Sequence, residues 1–149
     1  MKRKDFISLL KELHITMWKE VEKKDIDKRT TKTISFIRSL LDGSSRNITI
    51  NFNNIVGKLT KKQLWALNTA LSFDCFICGY GEYKRIISST LHVNETKCDY
   101  CNVFPEFVVD DDNAKCEVNG TIYSKWYNAQ TKRTRVKYAR LIQDCFPEN

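Results

Sequence analysis

Hydrophobic positions recur along residues 4–23 at Phe6, Leu9, Leu10, Leu13, Met17 and Val21. That spacing of three and four puts one apolar stripe on a helix of 3.6 residues per turn, so it predicts an amphipathic α-helix. Trp18 flanks the stripe, and His14 beside it reads as a surface or boundary side chain. The charged stretch Glu22 to Arg29 reads as a loop or a frayed helix end. A second helix is predicted from about Thr30 to Leu41, carrying Ile34, Ile37, Leu40 and Leu41, and Asp42-Gly43 stops it. Ile48, Ile50 and Phe52 then alternate with Asn47, Thr49, Asn51 and Asn53, the period-two pattern of a half-buried strand.

Thr60-Lys-Lys-Gln63 is a capping box, in which the hydroxyl takes the Gln63 amide while the glutamine reaches back. It predicts a third helix with Leu64, Leu67, Ala70 and Leu71 on its buried face, running nearly into Cys75. From Tyr83 to Val93 the apolar residues Ile86, Ile87, Leu91 and Val93 read as strand or hairpin material. Phe104, Phe107, Val108 and Val109 add a strand. In Glu117 to Tyr123, Asn119-Gly120 signals a two-residue hairpin, because both residues tolerate the positive φ of a type I′ turn. Residues 127–143 read as a final helix bearing Val136, Ala139, Leu141 and Ile142.

Four of the six cysteines stand in register. Cys75-Phe-Ile-Cys78 and Cys98-Asp-Tyr-Cys101 form a C-x2-C…C-x2-C pattern with 19 residues between the pairs. Two residues between cysteines let one backbone turn aim both sulfurs at a point about 2.3 Å away, and two such turns complete a tetrahedron suited to Zn²⁺. Gly79, just after Cys78, suits a knuckle that needs positive φ. Pro105 so soon after Cys101 argues against a helix at the second pair, which favours a ribbon of two knuckles and short strands over a treble clef. Three rivals stay open: a disulfide framework, a redox C-x-x-C, and an iron–sulfur cluster on the same four thiolates. Asn47, Asn94 and Asn119 head glycosylation-type triplets, but the absence of a leader pattern in the basic, interrupted start weighs against secretion. Cys116 and Cys145 read as structural thiols. The four-cysteine spacing resembles the zinc ribbons of transcription proteins over roughly residues 75–101, a likeness that implies zinc and little else.

The expectation is therefore an α+β protein. A helical N-terminal region (1–72) packs on a zinc-ribbon-like four-cysteine module with short antiparallel strands, and residues 73–149 close with a hairpin and a basic C-terminal helix. One structural Zn²⁺ would supply folding free energy to a module with a thin core.

Charge sharpens the functional reading. Of 149 residues, 25 are Lys or Arg and 18 Asp or Glu, a net charge of +7. Residues 1–74 hold 15 basic and 8 acidic side chains, whereas residues 75–149 hold 10 of each. That second balance conceals a separation. Glu106, Asp110, Asp111, Asp112 and Glu117 cluster, and Lys125, Lys132, Arg133, Arg135, Lys137 and Arg140 follow with no acid among them. Such a run is felt by polyanions, and Tyr123, Trp126, Tyr127 and Tyr138 interleave with it. Tyr123 and Trp126 read rather as core or cross-strand residues.

These features predict a zinc-stabilised, sequence-nonspecific nucleic-acid-binding accessory protein, intracellular and without a membrane span. The alternative is a zinc-stapled adaptor that docks a protein partner within a larger assembly. Abundant Lys, Ile and Asn suit an AT-rich genome, as in many large DNA viruses, and so a viral or transcription-related factor. An enzyme is not expected. His14 and His92 are the only histidines, and His92-Val-Asn-Glu95 ahead of Lys97-Cys98 departs from the deaminase pattern. A four-thiolate zinc site also lacks the open position that catalysis requires.

Overall fold

The computed structural model describes residues 1–25, 55, 57–72, 75–88 and 121–147. They form five helices, numbered here in chain order: α1 (Arg3–Lys24), α2 (Lys61–Ser72), α3 (Phe76–Ile87), α4 (Ile122–Tyr127) and α5 (Lys132–Gln143). No strand occurs among the described residues, so the described architecture is all-α and the α+β expectation is corrected. The helix expected at 30–41, the strands at 48–52 and 104–109, and the Asn119-Gly120 turn lie outside the described residues.

α1 is the shared partner. α3 and α5 both pack on it, α2 packs on α3, and α4 packs on α5. Its predicted stripe is inward as expected: Phe6, Leu9, Leu10, Leu13, Met17 and Val21 are buried, and Trp18 joins them. Asp5 in the first turn and Lys23 and Lys24 in the last complement the helix dipole. The helix runs further than the sequence suggests and ends on Asp25, which adopts a left-handed φ of 49° and whose N–H caps the last turn. Aspartate is one of the few non-glycine residues that tolerate this conformation.

The capping box of α2 forms as predicted. Gln63 N–H donates to Thr60 Oγ1 at 3.2 Å, and Thr60 N–H donates to Gln63 Oε1 at 3.0 Å. The glutamine does more than cap. It is fully buried, and its Nε2 donates to the Met1 carbonyl at 2.8 Å and reaches the Tyr83 hydroxyl at 3.5 Å. With Gln63 turned inward, the buried face becomes Gln63, Ala66, Leu67 and Ala70. Leu64, predicted inside, is 38% exposed, and Trp65 is 62% exposed.

Small size selects that face. A Cβ on Gly79 of α3 would stand 2.6 Å from Ala70 Cβ and 3.0 Å from the Ala66 carbonyl oxygen. Glycine at 79 thus serves close helix approach, and the positive φ expected of a knuckle is not used. A methyl group there would have to push the two helices apart.

α3 places Cys75 and Cys78 at the start of a helix rather than on a loop, and over Tyr83–Ile87 it stands where strand or hairpin was expected; residues 89–93 of that expectation lie outside the described residues. Cys75 is its N-cap, the Cys75 N–H donates to the Ala70 carbonyl at 2.8 Å, and Phe76, Ile77, Tyr80 and Tyr83 are buried. The apolar residues of this segment fit a helix closed in on several sides, and a short apolar run cannot by itself tell such a helix from a strand. At the other end, Thr121 and Thr131 each cap a helix. Thr121 Oγ1 accepts from Ser124 N–H at 3.1 Å and Thr131 Oγ1 from Thr134 N–H at 3.2 Å. Residues 121–123, expected as a hairpin arm, therefore open α4. The final helix expected over 127–143 begins later, at Lys132, and Tyr127 instead ends α4, with Asn128–Thr131 between the two.

The core is aromatic. Phe6 meets Tyr83 edge-on with centroids 4.7 Å apart, and Trp18 meets Trp126 at 4.7 Å and 81°. The reading of Tyr123 and Trp126 as core residues holds. Phe146 folds back to lie 5.5 Å from both the Tyr80 and the His14 rings.

His14 corrects the sequence reading, since it is fully buried. A carbonyl can only accept, so its Nε2–H donates to the Ile142 carbonyl at 2.7 Å and joins α1 to α5. Nδ1 is buried with no partner. Burial lowers its pKa from 6.5 to about 4, against the opposing pull of the backbone hydrogen bonds. The unfolded chain takes up a proton below pH 6.5 that the folded protein refuses until about pH 4, so stability falls across that window. The expected loss is roughly 3 kcal/mol at the lower end. Urea unfolding of the wild type and of His14→Gln at stepped pH checks this: the wild-type curve should fall more steeply with acid than the variant's.

Candidate nucleic-acid interface

The six cations predicted to meet phosphate sit on α4 and α5, and the fold divides them. Arg135 Nε and Nη2 donate to the two carboxylate oxygens of Asp25 at 2.7 and 2.8 Å. This is a parallel fork with both side chains only about one-fifth exposed, 19% and 21%. The left-handed turn at Asp25 therefore ends α1 and sets its carboxylate against α5. Arg140 bonds Glu22 through Nε at 2.9 Å, and Gln143 Nε2 donates to the other Glu22 oxygen at 2.6 Å. Gln143 and then Arg140 hold the Glu22 carboxyl below its ordinary pKa. Arg140 remains 69% exposed, so its pair is the weaker of the two. Sequence reading misses both acids as partners. Glu22 opens a stretch that reads as a loop, and nothing local signals a contact with α5 from more than a hundred residues away.

Lys125, Lys132, Arg133 and Lys137 remain exposed. Lys132 and Arg133 open α5 and form no ion pair among the described residues. The first turn of α5 carries no acid. Thr131 covers the Thr134 amide, and the amides of Lys132 and Arg133 precede the hydrogen-bonded ladder, so side-chain charge and helix dipole add at this end. Lys125 and Lys137 stand over one ring: their Nζ atoms lie 5.8 and 5.4 Å from the Tyr138 centroid. Tyr127, at the end of α4, is 40% exposed, with its ring stacked on Tyr123.

The cysteine set is seen in part. Cys75 and Cys78 are the N-cap and third residue of α3, and Cys78 N–H donates to Cys75 Sγ at 3.4 Å. Side chains three apart share a helix face, so both sulfurs sit at the first turn of α3, on a helix rather than on the loop expected. Cys98, Cys101 and Cys116 lie outside the described residues. Among the described residues, no three His, Cys, Asp or Glu side chains group as a metal site. Cys145 Sγ donates to the Leu141 carbonyl at 3.2 Å, and burial, then Asp144, pushes its thiol up in pKa, as suits a packing residue. No helix among the described residues is long and apolar enough to cross a membrane.

The division of cations has a measurable signature. Arg135→Ala should cost about 1–2 kcal/mol of stability, because it leaves Asp25 without its fork. Lys132→Ala or Arg133→Ala should stay within about 0.5 kcal/mol. Thermal and denaturant melts followed by circular dichroism compare them directly. No protein-family model matches this chain, and no curated protein or solved structure does either.

Proposed function

We propose that this chain is a zinc-stabilised accessory protein that binds nucleic acid without reading sequence, through the outer surface of α4 and α5. One observation carries the reading: four cations on α4 and α5, Lys125, Lys132, Arg133 and Lys137, stay exposed and outside the pairs with α1, while Arg135 is held in its fork with Asp25 and Arg140, itself 69% exposed, pairs with Glu22. Phosphates meeting those four would release condensed counterions, the sequence-independent source of affinity for polyanions. No base-reading motif is present in the sequence, and none is needed for this role. The affinity of labelled duplex DNA, measured by anisotropy, should fall with log salt at a slope of roughly −3.6, about 0.9 per phosphate contact. A slope near zero would remove the reading, and one near −5 would mean that Arg135 and Arg140 leave their acids to bind.

In the same proposal, Cys75 and Cys78 supply two of the sulfurs for one Zn²⁺, with Cys98 and Cys101 supplying the other two. Closed by four thiolates, the ion would tie the start of α3 to the following segment and do no chemistry. Native mass spectrometry should find one zinc per chain. Chelation, or Cys75→Ser, should lower the melting temperature of the whole protein, because α3 is part of the shared core.

A protein-binding adaptor is the second reading, and Trp65 favours it. A tryptophan 62% exposed, beside a partly exposed Leu64, is the kind of anchor that interfaces use. Pull-down with and without nuclease separates the two: an adaptor keeps its partner after digestion.

A further inference from the structure

We propose that the strand taken by the α4–α5 surface is single-stranded, and that Tyr127 is the platform on which one of its unpaired bases stacks. The inference deepens the reading above and rests on it.

Tyr127 ends a run of rings that passes from core to surface. Trp18 is 4% exposed, Tyr123 7% and Tyr127 40%. Tyr123 meets Trp18 edge-on at 6.4 Å and 82°, and Tyr127 lies on Tyr123 at 6.4 Å with the rings only 26° from parallel. The Tyr127 ring thus has a buried ring beside it, near parallel and offset, while the residue itself is 40% exposed. A ring already held in place loses little rotamer freedom when a base lies on it.

The other aromatics are less suited. Tyr123 and Trp126 are buried. Tyr138 has two ammonium groups within 6 Å of its centre, at 5.8 and 5.4 Å, so its face already serves cations. Trp65 donates its indole N–H to Glu82 at 3.1 Å, and that carboxylate would repel a phosphate brought near. Along the sequence, the charged residues nearest Tyr127 are all cations. Lys125 precedes it on α4, and Lys132 and Arg133 follow across the turn at Asn128–Thr131.

Phosphate contacts alone serve duplex and single strand alike. An open ring beside them serves only a strand whose base faces are not already stacked in a duplex. The chemistry therefore selects unpaired bases, with tolerance for base identity, because every base has a flat face.

The test uses the full chain and three labelled probes of equal length: oligothymidylate, an abasic strand and duplex DNA. Wild-type protein should bind oligothymidylate about tenfold or more tighter than the abasic strand. Tyr127→Ala should remove that difference and leave duplex affinity within about twofold, and Tyr127→Phe should retain it. An abasic strand bound as tightly as oligothymidylate, or Tyr127→Ala with no selective effect, overturns the stacking role. If Lys132→Ala combined with Arg133→Ala still weakens all three probes, the phosphate-binding surface survives that result. If the cation variant also changes nothing, the nucleic-acid reading falls with it. A melt of Tyr127→Ala matching the wild type assigns the loss to the exposed ring rather than to unfolding.

Discussion

Burial of one side of α1 is the constraint on which the remaining packing rests. Its seven inward apolar side chains, from Phe6 to Val21, are covered by α3 from the middle of the sequence and by α5 from its later part. Removing each such side chain from water contributes roughly 1.5–3 kcal/mol before the entropy of ordering is set against it. The other two helices are held more through their neighbours. α2 docks on α3 by the Ala66–Ala70–Gly79 approach, and α4 docks on α5 and meets α1 through the Trp18–Trp126–Tyr123 cluster. The polar devices in this interior are few and specific. Gln63 satisfies the N-terminal segment, α2 and α3 together, and His14 gives its one donor to the Ile142 carbonyl.

Charge on α5 acts in two ways. On the side toward α1, Arg135 and Arg140 meet carboxylates at the helix end, and the Asp25 pair is shielded enough to matter for stability. On the outer side, Lys132, Arg133 and Lys137 face water with no acid in the first turn to offset them. A basic run in sequence therefore overstates the surface a polyanion would meet, and the cations outside the two α1 pairs describe it better.

How much is legible follows from where each signal resides. The α1 stripe and the Thr60–Gln63 box are local patterns, and both appear as read. The buried face of α2 is misplaced when hydrophobicity is weighed above size: Leu64 is more apolar than Ala66, but only a small residue lets Gly79 come so near. His14 reads as a boundary residue because its acceptor lies 128 positions away, where no window of sequence can reveal it. The spacing of Cys75 and Cys78 suggests a metal-binding turn. It also fits an N-cap and the first turn of a helix, and that is where the two cysteines sit in α3. Within the basic run, the two arginines that pair with α1 look no different in sequence from the four cations that do not.

The seam between α1 and α5 also dictates how the native state is reached. Ala70 and Gly79 are neighbours in sequence, so α2 and α3 can zip together early with little entropy lost. His14 and Ile142 must find one another across 128 residues, and closing so long a loop rather than one of about ten costs about 2 kcal/mol more. Docking of α5 is thus the natural late step, and the stripe of α1 stays half-covered until it occurs. During synthesis α5 emerges after every helix it must join. A chain released before that point would present the stripe to whatever else is in reach, which makes truncation ahead of α5 a route to aggregation rather than to a smaller folded protein.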